Sequence, residues 1–105
     1  MVTESFPFDE KVLVFKVANK MFALADVEQF EYINLKCDPE RAIMLREEYE
    51  EIKPGYHMSK KHWNSVYVTG MLDDDFIEEL IIHSYDLIVS GLPKKTQEAI
   101  NQLRS

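Results

Sequence analysis

Apolar and polar positions change period several times along this chain, and each change marks an element. Val12-Leu13-Val14-Phe15-Lys16-Val17 is β-branched and aromatic and predicts a strand. Ala18-Asn19-Lys20 then predicts a tight turn, because asparagine tolerates a left-handed backbone. Met21-Phe22-Ala23-Leu24-Ala25 is the returning strand of a hairpin. Glu31-Tyr32-Ile33-Asn34-Leu35-Lys36 alternates polar with apolar, the pattern of a half-exposed third strand. Asp38-Pro39-Glu40 opens a helix: a capping carboxylate, a proline suited to the first helical position and an acid at the positive end of the dipole. Ala42, Leu45 and Tyr49 then share one helical face, opposite Arg46, Glu47, Glu48 and Glu50. Pro54-Gly55 blocks any continuation.

Beyond that break, Tyr56-His57-Met58 predicts a short strand and Ser65-Val66-Tyr67-Val68-Thr69 a clearer one, with residues 59–64 as the hairpin loop between them. Gly70 turns the chain, and Asp73-Asp74-Asp75 opens a second helix whose apolar face runs from Phe76, Ile77, Leu80 and Ile81 to Ile88 and Val89. Gly91 stops it, and a last helix covers 94–103 after Leu92-Pro93. Strands this closely spaced need hairpins, so the sheet is antiparallel. About five strands with helices packed on one face give a two-layer α+β sandwich.

At 105 residues the chain makes one domain with one core. No stretch approaches the roughly 18–20 apolar residues of a membrane span, and Met1 to Asp9 lacks the basic and apolar regions of a signal peptide. A single cysteine excludes an internal disulfide and points to a reduced, cytoplasmic protein.

Charge is segregated. The formal net charge is -7, yet residues 53–70 hold three lysines and no acid, while 71–92 hold six acids and no base. Within the first of these, 53–67 also carries two histidines, two tyrosines and the only tryptophan. A basic, aromatic island in an acidic chain is a candidate binding surface. Lys53, Lys60 and Lys61 suit phosphates, with Lys94 and Lys95 as further contributors if the fold brings them near. Trp63, Tyr56 or Tyr67 offer faces for base stacking. His57, His62 and Asn64 add hydrogen-bonding groups. Against this stand a core-packed Trp63 with solvated lysines, and the absence of arginine, the preferred residue for bidentate base readout, from 53–67.

Other chemistries fare worse. His57 and His62, five residues apart, match no metal-site spacing. Cys37 precedes a helix N-terminus, which favours a thiolate, but no histidine is near it in sequence. The Asp73–Asp75 run with Glu78 and Glu79 lacks the central glycine of a calcium loop and is explained by the helix dipole. There is no glycine-rich phosphate loop and no Gly-x-Ser-x-Gly elbow. The expectation is a binding protein without catalytic residues, metal or cofactor.

Several runs together resemble the MmcQ/YjbR family of small bacterial proteins. They are Phe6-Pro7-Phe8-Asp9, Lys36-Cys37-Asp38-Pro39-Glu40-Arg41-Ala42, His57-Met58-Ser59-Lys60-Lys61-His62-Trp63-Asn64 and Leu92-Pro93-Lys94-Lys95, and the likeness covers essentially the whole chain. The resemblance implies a two-layer α+β domain and the label of a DNA-binding protein, a label that rests on fold-level comparison. It also implies an additional first helix, whereas Val2-Thr3-Glu4 joins the Phe-Pro-Phe segment almost directly. The expectation is an uncovered apolar core face, with lower stability or with a protein partner or second copy over it. The competing function is a protein-interaction or small anionic-ligand module, in which the same hairpin and the apolar sheet face receive an acidic partner or an anionic metabolite.

Overall fold

The computed structural model describes residues 2–6, 12–26, 31–56 and 58–104. Its elements, in chain order, are β1 (Val2–Ser5), β2 (Val12–Val17), β3 (Lys20–Asp26), β4 (Tyr32–Lys36), α1 (Pro39–Glu48), β5 (Ile52–Pro54), β6 (Trp63–Tyr67), α2 (Asp74–Ser90) and α3 (Lys94–Arg104). All pairings are antiparallel, and the sheet order is β1-β2-β3-β4-β6-β5. This is the α+β architecture that the strand spacing predicts, with six strands rather than five.

The β2–β3 hairpin turns on Ala18 and Asn19, both at positive φ (48° and 65°). Two such residues give the mirror-image turn whose twist matches the strands it joins. One residue is inserted on β3, since Phe15 faces Ala23 and Lys16 faces Met21. The extra residue, Phe22, packs edge-on against Tyr85 of α2 at 5.4 Å and tilted against Phe15 at 6.5 Å. α1 starts where expected: Asp38 accepts from the Arg41 N–H at 3.2 Å and Pro39 is the first helical residue. Asp73, by contrast, makes no side-chain cap bond at the start of α2, so the acids there act through the dipole alone.

Two expectations need correction. The strand predicted at 56–58 lies instead at Ile52–Pro54; Tyr56 and Met58 belong to the loop, and His57 falls outside the described residues. Proline is tolerated there because β5 is an edge strand. β6 begins at Trp63, not Ser65, so two residues placed in the loop by their polarity and bulk are strand residues. The Phe6-Pro7-Phe8-Asp9 run lies outside the described residues except for Phe6, which is exposed.

Alternation along the strands sends side chains to two different faces. One face packs Val17, Phe22, Leu35, Ile52 and Val66 under Ala42 and Leu45 of α1, Ile77 and Leu80 of α2, and Ile100 of α3. Ser84 of α2, fully buried, is the polar staple of this layer. Its hydroxyl donates to the Phe22 carbonyl at 2.6 Å and accepts from the Lys36 N–H at 2.9 Å. A wholly apolar cavity of 380 Å³ opens between Leu13, Phe15 and Ile33 of the sheet and Ile81 of α2. The opposite face carries a second, smaller core of Val14, Leu24 and Trp63, flanked by Val12, Met21 and Met58.

Candidate nucleic-acid interface

The loop from Gly55 to His62 joins the edge strand β5 to its neighbour β6 and carries most of the basic island. Its base is tied by Gly55, whose N–H donates to the Trp63 carbonyl at 2.9 Å. A Cβ at residue 55 would lie 2.8 Å from Trp63 Cβ and 2.9 Å from Trp63 O, so only glycine allows this approach. The Ser59 carbonyl accepts from the His62 and Trp63 N–H groups at 3.3 and 3.0 Å, and the His62 carbonyl accepts from Cys37 N–H at 2.8 Å.

Arg46 of α1 closes the structure from the helix side. Its Nε donates to Asn64 Oδ1 at 2.7 Å, and its Nη2 donates to the Trp63 carbonyl at 3.2 Å and to the Lys60 carbonyl. One guanidinium thus satisfies three acceptors of the hairpin, a task its planar fork suits better than lysine. The sequence shows only a base near the end of an acidic helix, which the dipole already explains. Nothing in the spacing marks Arg46 as the hairpin's clamp.

Lys60, Lys61 and His62 stand exposed together on this loop, and Lys53 is exposed on β5, the strand that leads into it. The Lys60 ammonium donates to the Gly55 carbonyl at 3.0 Å, so Lys61 and His62 reach out more freely. Trp63 and Asn64 are only 9% and 2% exposed. Trp63 therefore anchors the loop in the second core and presents no face for stacking. Asn64 is held by Arg46, and its Nδ2 is buried with no partner. Lys94 and Lys95 are exposed in the first turn of α3, and no hydrogen bond or ion pair among the described residues ties them to the loop. His57 falls outside the described residues.

A family model described as YjbR matches residues 1–87. The chain belongs to the YjbR family. The uncharacterized protein YbdF of Escherichia coli O157:H7 is 40% identical over 96 residues, which are 90% of this chain and 79% of that protein. The uncharacterized protein YjbR of Escherichia coli (strain K12) is 35% identical over 96 residues, 90% of this chain and 81% of that one. Among solved structures, Deinococcus radiodurans protein DR2400, a DUF419 domain, superposes with a TM-score of 0.87 at 37% identity, covering 95% of this chain and 78% of that chain. The α+β fold is shared with that structure, and none of these names states an activity.

Within this YjbR-family fold, Cys37 and His83 come close although they are far apart in sequence. His83 Nε2 accepts from the Asp38 N–H at 3.4 Å, beside the bidentate Arg41–Glu79 pair at 2.7 and 2.9 Å. Burial pushes the Cys37 thiol upward, outweighing the nearby Arg41. The helix N-terminus therefore does not make Cys37 a ready thiolate. Burial, helped by Arg41, holds the His83 imidazole below its ordinary value. Among the described residues no group of three His, Cys, Asp or Glu is placed to hold a metal ion, and no helix is long and apolar enough to cross a membrane.

The sheet face without helices holds what the sequence concealed. Tyr32 of β4 lies directly opposite Tyr67 of β6, with ring centroids 5.1 Å apart. Tyr56, 56% exposed, meets Tyr32 edge-on at 6.3 Å. Beneath them Ser65 Oγ donates to the buried Asn34 Oδ1 at 2.5 Å. That pair also holds both backbone groups of Tyr56: its N–H donates to Ser65 Oγ at 2.9 Å, and its carbonyl accepts from Asn34 Nδ2 at 3.2 Å.

Proposed function

We propose that this YjbR-family protein is a non-enzymatic, cytoplasmic binding protein whose 55–62 loop contacts nucleic-acid phosphates. The observation that carries the reading is that Lys60, Lys61 and His62 are exposed side by side on a loop fixed by Gly55, Arg46 and the buried Trp63. A fixed presentation reduces the ordering cost of binding. The loop works in an acid-free stretch of an otherwise acidic chain, so its field acts over about one Debye length, roughly 8 Å at physiological salt, and is opposed beyond it. Binding is accordingly weak. With Lys53, Lys60 and Lys61 each neutralising one phosphate, log K falls against log salt with a slope of about -3. The buried, protonated thiol of Cys37 favours binding over covalent catalysis and suits a reducing compartment.

Fluorescence anisotropy with labelled single- and double-stranded DNA tests this across a salt series. The wild type binds with the stated slope, and Lys60→Glu/Lys61→Glu abolishes binding while the circular dichroism spectrum is unchanged. Absence of binding at low salt, or binding indifferent to the double substitution, removes the nucleic-acid reading.

A further inference from the structure

The helix-free face contains a cleft of 460 Å³, within the range of small-molecule sites. Its floor is apolar, with Leu24 from the second core, and its walls include Tyr32, Tyr56, Met21 and Met58. Asp26, at the end of β3, also lines it, and no basic residue does among those described. The sign of this cleft is therefore opposite to that of the 55–62 loop, although Tyr56 borders both.

We infer that this cleft binds a small organic cation of the alkylammonium class, held against the faces of Tyr32 and Tyr56 with Asp26 as counter-charge. Three observations converge. The two rings both line the cleft and stand nearly perpendicular, at 88°, one edge-on to the other. A cation within about 6 Å of both centroids is attracted by both ring quadrupoles, and methylated ammonium groups are recognised by aromatic walls in this way. Next, the exposed wall is fixed in place. Tyr56 sits in a loop, yet its N–H and carbonyl are both tied to side chains of the sheet, Ser65 and Asn34. Such preorganisation is expected of a contact residue and is not needed for an idle surface tyrosine. Finally, the charged groups acting on Tyr32 are both carboxylates: after burial, Tyr67 and Tyr56, it is Asp26 and Glu31 that hold its phenol above the ordinary value. Carboxylates so placed favour a positive ligand over an anion. The flexible, polarizable side chains of Met21 and Met58 adapt to methyl or methylene groups around the charge.

For the same reason the tyrosine face is unsuited as a nucleic-acid platform. Phosphates would meet Asp26 and Glu31 where the bases would stack. The small anionic ligand of the competing function is disfavoured here on the same ground.

The test is titration of the full chain with choline and with butylammonium, followed by intrinsic fluorescence and by heteronuclear NMR shifts. 3,3-Dimethylbutanol, a neutral isostere of choline, and acetate serve as comparators. The expected result is saturable binding of the cations with shifts at Tyr32, Tyr56 and Met58. The neutral isostere binds at least tenfold more weakly, and acetate does not bind. Asp26→Asn weakens choline binding at least fivefold. Tyr56→Leu, at an exposed position, does the same in a chain that remains folded. Lys60→Glu/Lys61→Glu leaves it unchanged, which separates this site from the DNA-binding loop. Equal affinity for choline and its neutral isostere, preference for acetate, or no saturable shift up to 10-millimolar-scale ligand overturns the inference.

Discussion

The two faces of the sheet are built on different terms. The helix-covered face is a continuous apolar layer in which Ser84 is the buried polar side chain of the helices, with both its hydrogen bonds made inside the layer. The open face is divided: a small core around Trp63 at one end, a tyrosine and amide network at the other. A layer closed by helices leaves little freedom for chemistry. A face closed by loops and side-chain networks keeps a concave region exposed to solvent, and the cleft lies there. In this protein the candidate sites sit on the open side and at the sheet edge, away from the main core.

The comparison breaks most visibly at Trp63. If the second core is a true core, Trp63→Ala costs about 3–5 kcal/mol, as much as Leu35→Ala at about 2–5 kcal/mol on the helix-covered face. Urea unfolding followed by circular dichroism measures both. A loss under about 1 kcal/mol for Trp63→Ala would make the open face a decorated surface. Arg46 sharpens the point at smaller scale, because it is where the helix layer reaches across to hold the open face's loop. Arg46→Ala leaves Asn64 Oδ1 and the Lys60 carbonyl without this donor, while the Trp63 carbonyl keeps the Gly55 N–H, at about 1–3 kcal/mol. It also speeds amide exchange in 55–62 while exchange in β2 and β3 is unchanged. The smallest effect belongs to His83, on the covered side. Its folded pKa lies below the unfolded one, so the unfolded chain takes up the proton first as pH falls. Stability then drops on acidification from the unfolded value near 6.5 to the lower folded one, and is regained as pH rises through that window. Denaturation midpoints at pH 7.5 and 5.5 show this difference, and His83→Gln diminishes it.

The covered face was legible in the sequence because its signals are local. Alternation marks β4, β-branched runs mark β2, and helical spacing marks α1 and α2, each within one window. The open face depends on register. Tyr32, Tyr56 and Tyr67 mean nothing by spacing, and meet because β4 and β6 pair at Tyr32 and Tyr67 while the loop folds back over them. Asn64 reads as a loop residue until Arg46, eighteen positions earlier, makes a polar side chain acceptable under the helices. β1 escaped for another reason. Val2 to Ser5 are all exposed, so this edge strand carries no burial pattern. The basic loop itself was legible from charge alone, but charge does not distinguish Lys61, which reaches out, from Trp63, which is buried.

The sheet order has a kinetic consequence. β2–β3 and β5–β6 are hairpins that close over short loops, but β6 is inserted between β4 and β5, so Asn34 must find Ser65 across the whole of α1 and the basic loop. Closing that distance costs chain entropy before any contact repays it. Among the strand pairings, β6 on β4 is therefore the one with the longest loop to close. The Arg46 clamp fastens α1, which lies inside that loop, to the β5–β6 hairpin and so shortens the free chain between the pairing strands.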